Sequence, residues 1–295
     1  MADRQPPLPL EAAATARPFL KWAGGKGRLL GQLEPLLPEA FARTFEVFLG
    51  GGALFFHLQN LGRLAQGAVL NDRNAELMNC YRVIQDAGRL EELMRRLDRH
   101  AEHAMDARTY YRVRARDREA DFADRVGPVE RAARTIFLNR TCYNGLYRLN
   151  RKGQFNVPYG KWTRPPRLYD AANLWACHRA LQGVELRSDD FQECLADPGE
   201  GDFVYLDPPY HPTSVTASFT AYTGVAFGRA DQQRLAEQFR QLDARGCLVL
   251  LTNSATPLVR RLYRGFRRDV VQAPRPICRD GGGRGAVEEL AVRNY

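Results

Sequence analysis

The segment YLDPPYHP, residues 205–212, closes an apolar run with an acid, two prolines and an aromatic ring. Each proline fixes its own φ and removes a backbone donor, so the loop is stiff and rich in acceptors. At the carboxyl end of a strand in an α/β sheet, such a loop lies where ligands bind. An amino group on a flat ring suits it. Asp207 and the carbonyl of Pro208 can accept from the two N–H bonds, Pro209 stiffens the turn, and Tyr210 offers a face for stacking. A proline pair that only closes a strand is the plainer alternative, but it gives no reason for the flanking Asp and Tyr.

A second constellation lies earlier. FEVFLGGGALFF (45–56) puts Gly50, Gly51 and Gly52 between a strand-like run and a helix-like run, where glycine lets the backbone turn sharply and approach a ligand. The dinucleotide pattern GxGxxG is not completed, because Phe55 takes the place of the third glycine. Asp72 closes the next strand-like run, AVLND, where a carboxylate accepts from ribose hydroxyls. Together these point to an adenosine-containing cofactor, with a structural turn and a capping Asp as the alternative. FLKWAGGKGRLL (19–30) resembles a phosphate loop but fails its spacing, since Lys26 is followed by Gly27 and no hydroxyl. His100 and His103 have no partner ligands nearby in sequence and are expected to be exposed helix residues rather than a metal site; no metal is expected.

These residues need a scaffold to position them. Phe45–Leu49, Ala68–Asp72, VELRS (184–188), DFVYLD (202–207) and CLVLLT (247–252) read as strands, with two more in RDVVQ and AVEELAVRNY. The strand pattern stops over 81 to about 140, where helical periodicity takes over. The expected fold is therefore α/β, a Rossmann-like sheet assembled from both chain ends with a mostly helical insertion. The domains would be a flexible arm over 1–16, a catalytic domain over 17–80 and 170–295, and an inserted domain over 81–169. No apolar stretch approaches the roughly 20 residues that cross a bilayer, and the opening MADRQPPLPL lacks a signal-peptide core. The six cysteines form no CxxC pair, so neither a disulfide framework nor a zinc ribbon is expected. A cytoplasmic location is the default.

The formal net charge is +9, and its position is informative. From Arg131 to Tyr169 there is no acid but nine basic residues, interleaved with Tyr143, Tyr147, Phe155, Tyr159 and Trp162. A solvated basic face is the simple reading; the aromatic residues favour a nucleic-acid partner. The segment HPTSVTASFTAYTGVAFG (211–228) lacks periodicity and is long for a plain connection, so it is expected to order over that partner.

FLKWAGGK, the FLGGG loop, LND, YNGLYRLNRKGQFNVPYG, DPPY, SFTAY and the closing GGGR…EEL…NY occur in an order that resembles the Dam-type DNA adenine methyltransferases, across nearly the whole chain from Arg17. The resemblance implies transfer of a methyl group from S-adenosyl-L-methionine to N6 of an adenine flipped out of duplex DNA. It implies Trp22, Lys26, Gly50, Gly52, Asp72 and Asp207 at the cofactor, and Asp207, Pro208, Pro209 and Tyr210 at the adenine. Val47 stands where the family usually has proline, which removes no functional group.

The basic segment then takes a specific reading as a target-recognition domain. Asn144-Gly145 is a two-residue hairpin signal, and a two-stranded ribbon fits the major groove. Arg148 can reach a guanine edge and Leu146 a thymine methyl group. In the family, the matching leucine and arginine read the outer half of a GATC site. Tyr143 and Asn144 match residues near the vacated adenine, Pro158 matches a base-contacting position, and Lys21 matches a lysine that reaches the first guanine. The remaining basic residues would contact phosphates or only water. A related amino-methyltransferase acting on cytosine N4, RNA or a protein glutamine is the alternative; a repressor that kept the fold without turnover is another. A monomer is expected, with a cognate restriction endonuclease as a conceivable partner.

Overall fold

The computed structural model describes residues 15–212, 227–273 and 287–295. Seven strands form one sheet: β1 (Thr44–Glu46), β2 (Ala68–Asn71), β3 (Glu185–Arg187), β4 (Phe203–Leu206), β5 (Leu248–Ser254), β6 (Arg267–Ala273) and β7 (Val287–Arg293). Their order is β3-β2-β1-β4-β5-β7-β6. The first five strands run parallel, and β7 runs antiparallel between β5 and β6. The apolar runs become strands because helices cover both faces, which allows consecutive residues to be buried. Along β4, Phe203 and Tyr205 pack with Leu33, Leu54 and Leu58, whereas Val204 and Leu206 pack with Leu235, Phe239 and Leu242 on the opposite side.

Four helical segments of the amino-terminal half flank or follow the first strands: α1 (Leu30–Leu33), α2 (Ala53–Asn60), α3 (Ala75–Gln85) and α4 (Ala87–Ala101). Then come α5 (Ala107–Ala115), α6 (Phe122–Arg125), α7 (Pro128–Thr141) and α8 (Ala171–Ala180), and finally α9 (Phe191–Cys194), α10 (Arg229–Ala244) and α11 (Pro257–Leu262). Local chemistry sets several starts: the side chains of Asn74, Asp86, Asp106 and Asp170 each accept from a first-turn N–H, and proline opens α7 and α11. Between β2 and β3 the described chain forms helices α3 to α8 and no named strand. Leu90, Leu93, Ala132, Ile136 and Phe137 from α4 and α7 share one apolar core with Leu70 of the sheet and Leu77 and Tyr81 of α3.

Several expectations shift here. Residues 1–14 of the expected arm lie outside the described residues, but Ala16 is already buried: its N–H donates to Asn60 Oδ1 and its carbonyl accepts from Asn60 Nδ2. The Asn144-Gly145 pair does have positive φ at both positions, 55° and 65°, yet it is not the reversal of a hairpin. Tyr143–Gly145 is a 3-10 turn leaving α7. The ribbon that follows is held by two isolated bridges, Cys142 with Tyr159 and Leu149 with Phe155, and reverses at Asn150–Gln154. There the Asn150 Oδ1 accepts from the amides of Lys152 and Gln154, an Asx-type closure. Of the interleaved aromatics, Tyr147 and Phe155 are buried, Tyr159 and Trp162 are half-buried, and Tyr143 is exposed. His100 is half-buried and stacks on Phe137 instead of lying free. Of the 211–228 segment, residues 213–226 lie outside the described residues, as do Cys278 and GGGR.

Candidate active site

The strand order reverses between β1 and β4, and the carboxyl ends of these two neighbours open onto one crevice. A cavity of about 350 Å³ occupies it. Trp22, Lys26, Gly50, Gly52, Asp72, Asp207, Pro208, Pro209 and Tyr210 all border this cavity, so the structure brings together every residue expected at cofactor and amine.

The glycine loop follows β1 and is shaped by contacts that exclude side chains. Gly50 and Gly52 have φ of 50° and 67°. A Cβ on Gly50 would lie 2.7 Å from the Trp22 ring, and one on Gly52 would lie 2.8 Å from the Tyr81 hydroxyl. Tyr81 donates to the Gly50 carbonyl at 3.1 Å, and the Gly50 amide donates to Asp72 Oδ2 at 2.9 Å. Asp72 Oδ1 accepts from the Asn74 amide at 2.9 Å. Burial pushes the Asp72 carboxyl up from its ordinary range, and the two amides partly offset this. Each Asp72 oxygen keeps a second lone pair for a ligand hydroxyl. Trp22 stacks on Tyr147 with ring centroids 4.9 Å apart.

Asp207 stands just past β4. Its Oδ1 accepts from the Thr252 hydroxyl at 2.7 Å and pairs with the Lys26 ammonium at 2.8 Å. Lys26 also donates to the Gly24 carbonyl at 2.9 Å and lies 4.7 Å from the Tyr210 ring centroid. Lys26 thus borders the cavity with its ammonium paired to Asp207. The Tyr210 hydroxyl donates to Glu289 Oε2 at 2.6 Å, which sets the ring's orientation. Behind the loop, the buried Gln232 amide donates to the Pro209 carbonyl at 2.9 Å and accepts from Asn253 at 3.0 Å.

Several of these residues were not anticipated. Glu46, Thr252 and Glu289 hold or face the site, and Glu46 and Glu289 border the cavity. Burial pushes the Glu46 carboxyl well above its ordinary range, against the Phe55 amide that donates to it and with Asp207 and Asp72 adding repulsion. Burial also raises Glu289, opposed by Lys26 and the Tyr210 hydroxyl. The signal available was an acid within an otherwise apolar strand. Among the described residues no group of three or more His, Cys, Asp or Glu is placed to hold a metal ion. Nor is any helix there long and apolar enough to cross a membrane.

The residues expected at DNA lie outside the lining of this cavity. Lys21, Tyr143, Asn144, Arg148 and Pro158 are exposed, and Leu146 is half-buried. The Lys21 ammonium sits 5.7 Å from the Trp162 ring centroid, and Arg148 Nε donates to Asn156 Oδ1 at 2.7 Å. The basic run divides. Arg131 pairs with Glu76, Arg134 is buried against Asp117 at 2.8 Å, and Arg140 donates to the Phe19 carbonyl, so these three hold the fold together. Arg151, Lys152, Lys161 and Arg164 are exposed on the ribbon and the segment after it.

The chain is 42% identical over 282 residues to a type II methyltransferase of Lactococcus lactis subsp. cremoris, covering 95% of each. It is 39% identical over 288 residues to a type II methyltransferase of Methanocaldococcus jannaschii, covering 95% of this chain and 99% of the relative. Against the DNA adenine methylase of Escherichia coli K12 it is 33% identical over 282 residues, covering 93% and 94%. The family model for D12 class N6 adenine-specific DNA methyltransferases matches residues 22–277. That span includes the glycine loop, Asp72, the ribbon and the Asp207–Tyr210 loop, and the protein belongs to the D12 class of N6 adenine-specific DNA methyltransferases.

Proposed function

We propose that the protein methylates the adenine of GATC in duplex DNA, taking the base out of the helix into the pocket between Asp207 and Tyr210. The observation that carries this reading is the Lys26 ammonium. A positive nitrogen is held there 2.8 Å from a carboxylate and 4.7 Å from an aromatic centroid. Those are the contacts that an amine acquiring positive charge requires. The exocyclic amine of adenine is a poor nucleophile because its lone pair is delocalised into the ring. Accepting from its N–H bonds through Asp207 and the Pro208 carbonyl favours a more tetrahedral nitrogen and stabilises the charge that develops on it. Tyr210, fixed by Glu289, replaces the stacking lost when the base leaves the helix. The incoming amine competes with Lys26 for Asp207, so the lysine keeps the carboxylate oriented until the base arrives.

The cavity beside this pocket suits S-adenosyl-L-methionine, which supplies an electrophilic methyl group on a cationic sulfur. The carboxyl groups of Glu46, Asp72 and Asp207 border this cavity and would face that cation. Asp72 would accept from the ribose, Trp22 would flank the adenosine, and the Gly50–Gly52 backbone would pass close to the methionine end. Holding nitrogen, methyl and sulfur in line supplies much of the remaining rate.

Residues 81–169 would act as the target-recognition domain, attached to a catalytic domain of residues 17–80 and 170–295. Arg148 and Leu146 would read the outer half of the site, Lys21 its first guanine, and Tyr143, Asn144 and Pro158 the bases beside the vacated position. The exposed Arg151, Lys152, Lys161 and Arg164 would set affinity through phosphates. Mapping every modified adenine on a plasmid methylated in vitro tests reaction and target together. Modification outside GATC, or in no shared sequence, overturns the target assignment; a nucleoside digest containing only N4-methylcytosine overturns the pocket chemistry.

A further inference from the structure

Asn139 lies in the last turn of α7 and is fully buried. Its Oδ1 accepts from the Lys21 amide at 2.9 Å, and its Nδ2 donates to the Lys21 carbonyl at 2.8 Å and to the Gly145 carbonyl at 3.1 Å. Both amide hydrogens and the oxygen are thus committed to backbone. Lys21 lies 118 residues before Asn139 in sequence. The segments of Lys21 and Gly145 also touch directly. Gly145 has φ of 65°, and a Cβ there would lie 2.4 Å from Lys21 Cδ and 2.9 Å from Lys21 Cβ. On the other side, the Trp162 indole donates to the Thr141 carbonyl at 2.8 Å and stands beside the Lys21 ammonium. The Tyr143 amide donates to the Pro158 carbonyl at 2.9 Å, which ties the turn to the ribbon's returning arm.

We propose that Asn139 is a positioning residue for target selection. It locks Lys21 to the Tyr143–Leu146 turn, so that both segments meet the DNA as one rigid unit. The proposal rests on the reading that Lys21 and the ribbon contact bases. An amide is suited to this task because it satisfies an N–H and two carbonyls at once. Aspartate has the same shape but no donors, and it would set an oxygen against the carbonyls of Lys21 and Gly145. A backbone shift of about 1 Å at Lys21 is enough to lose a base contact, since hydrogen bonds weaken steeply beyond about 3.2 Å.

The test compares kcat/KM on short duplexes carrying the preferred site or a single base-pair change at each position, using the full chain with Asn139→Asp. The ratio between sites is the readout, because a misfolded fraction lowers both rates equally and cancels. The ratio at the position governed by Lys21 should fall about 10-fold, as for one lost base contact. Adding Asn139→Asp to Lys21→Ala should lower that ratio little further. Gly145→Ala serves if Asn139→Asp does not fold, since its Cβ collides with the Lys21 side chain while the Asn139 side chain itself is retained, and it should reproduce the same position-specific loss. If Lys21→Ala lowers the ratio while Asn139→Asp and Gly145→Ala leave it unchanged, the positioning role is overturned and the base-contact reading stands. If neither Lys21→Ala nor Arg148→Ala alters any ratio, the base-contact reading itself falls, and the proposal with it.

Discussion

The pairing of Lys26 with Asp207 makes a strong demand on stability. The two side chains are 6% and 18% exposed and 2.8 Å apart. Removing one partner of a buried ion pair costs about 3–5 kcal/mol, because the other charge is left without compensation. Asp207 keeps the Thr252 hydroxyl at 2.7 Å and some contact with solvent, which places Lys26→Met at the lower end, about 3 kcal/mol. For a chain of this size that is a fall in Tm of about 6 °C, at about 2 °C per kcal/mol. Combining Lys26→Met with Asp207→Asn removes both charges and retains an acceptor for Thr252. The double variant should therefore be more stable than the sum of the two single changes implies, with a coupling energy of about 2 kcal/mol. Urea unfolding of the four proteins without added ligand measures this cycle. Strict additivity would show that the ammonium does not rest on Asp207 in the free enzyme. The competition between lysine and incoming amine would then be wrong.

The remaining expectations concern the same crevice. Glu289→Ala should lower kcat/KM on duplex DNA about 5- to 10-fold by freeing the Tyr210 ring, as expected for one hydrogen bond of about 1–1.5 kcal/mol. The change should have little further effect in the Tyr210→Phe background, so a full additional loss there would show that Glu289 acts by another route. Burial raises the carboxyl groups of Glu46, Asp72 and Glu289, so the folded chain binds their protons more tightly than the unfolded chain does. Their contribution to stability is complete below the unfolded carboxylate range, about 4.3 for Glu, and is lost as pH rises through the folded values. Glu46→Gln should accordingly gain stability relative to the wild type as pH rises, by at most about 1.4 kcal/mol per pH unit; a pH-independent difference in urea titrations would refute the assignment. Gly50→Ala should weaken S-adenosyl-L-methionine binding at least 10-fold, because its Cβ would lie 2.7 Å from the Trp22 ring on a backbone with positive φ. Unchanged affinity by calorimetry would mean that Trp22 does not flank the cofactor.

What the sequence revealed followed from how local each signal is. The strands were legible because helices cover both faces of the sheet, so Val69, Leu70, Val204 and Leu206 are all apolar. The Asp207–Tyr210 loop and Gly50–Gly52 were legible because proline and glycine act on their own backbone. Asn144-Gly145 misled for the opposite reason. Its positive φ values are real, but whether they turn a hairpin or end a helix depends on what lies beyond, here the bond from Tyr143 to Pro158. The basic run misled similarly, since the acids that neutralise Arg131 and Arg134, Glu76 and Asp117, lie outside it in sequence. Asn139, in FLNRT, carries no local mark at all. Its partners at Lys21 are brought to it only by the packing of α7 against the start of the chain.

Glu289 shows why the sheet must end as it does. A parallel strand next to β5 would deliver its last residues to the crevice and its first residues to the opposite edge. Because β7 is antiparallel, its opening residues arrive at the catalytic end, and Glu289 pairs across from Ser254 at the end of β5. The Ser254 hydroxyl in turn donates to the His211 carbonyl at 2.7 Å, just beyond Tyr210. The Asp207–Tyr210 loop is therefore held from two directions, by the polar end of β5 through Thr252, Asn253 and Ser254, and by the start of β7 through Glu289. The glycine loop after β1 is held by Asp72 and Tyr81, at and beyond the end of β2, from the other side of the reversal in strand order. The Asp207–Tyr210 loop and the glycine loop thus take their side-chain supports from different strands.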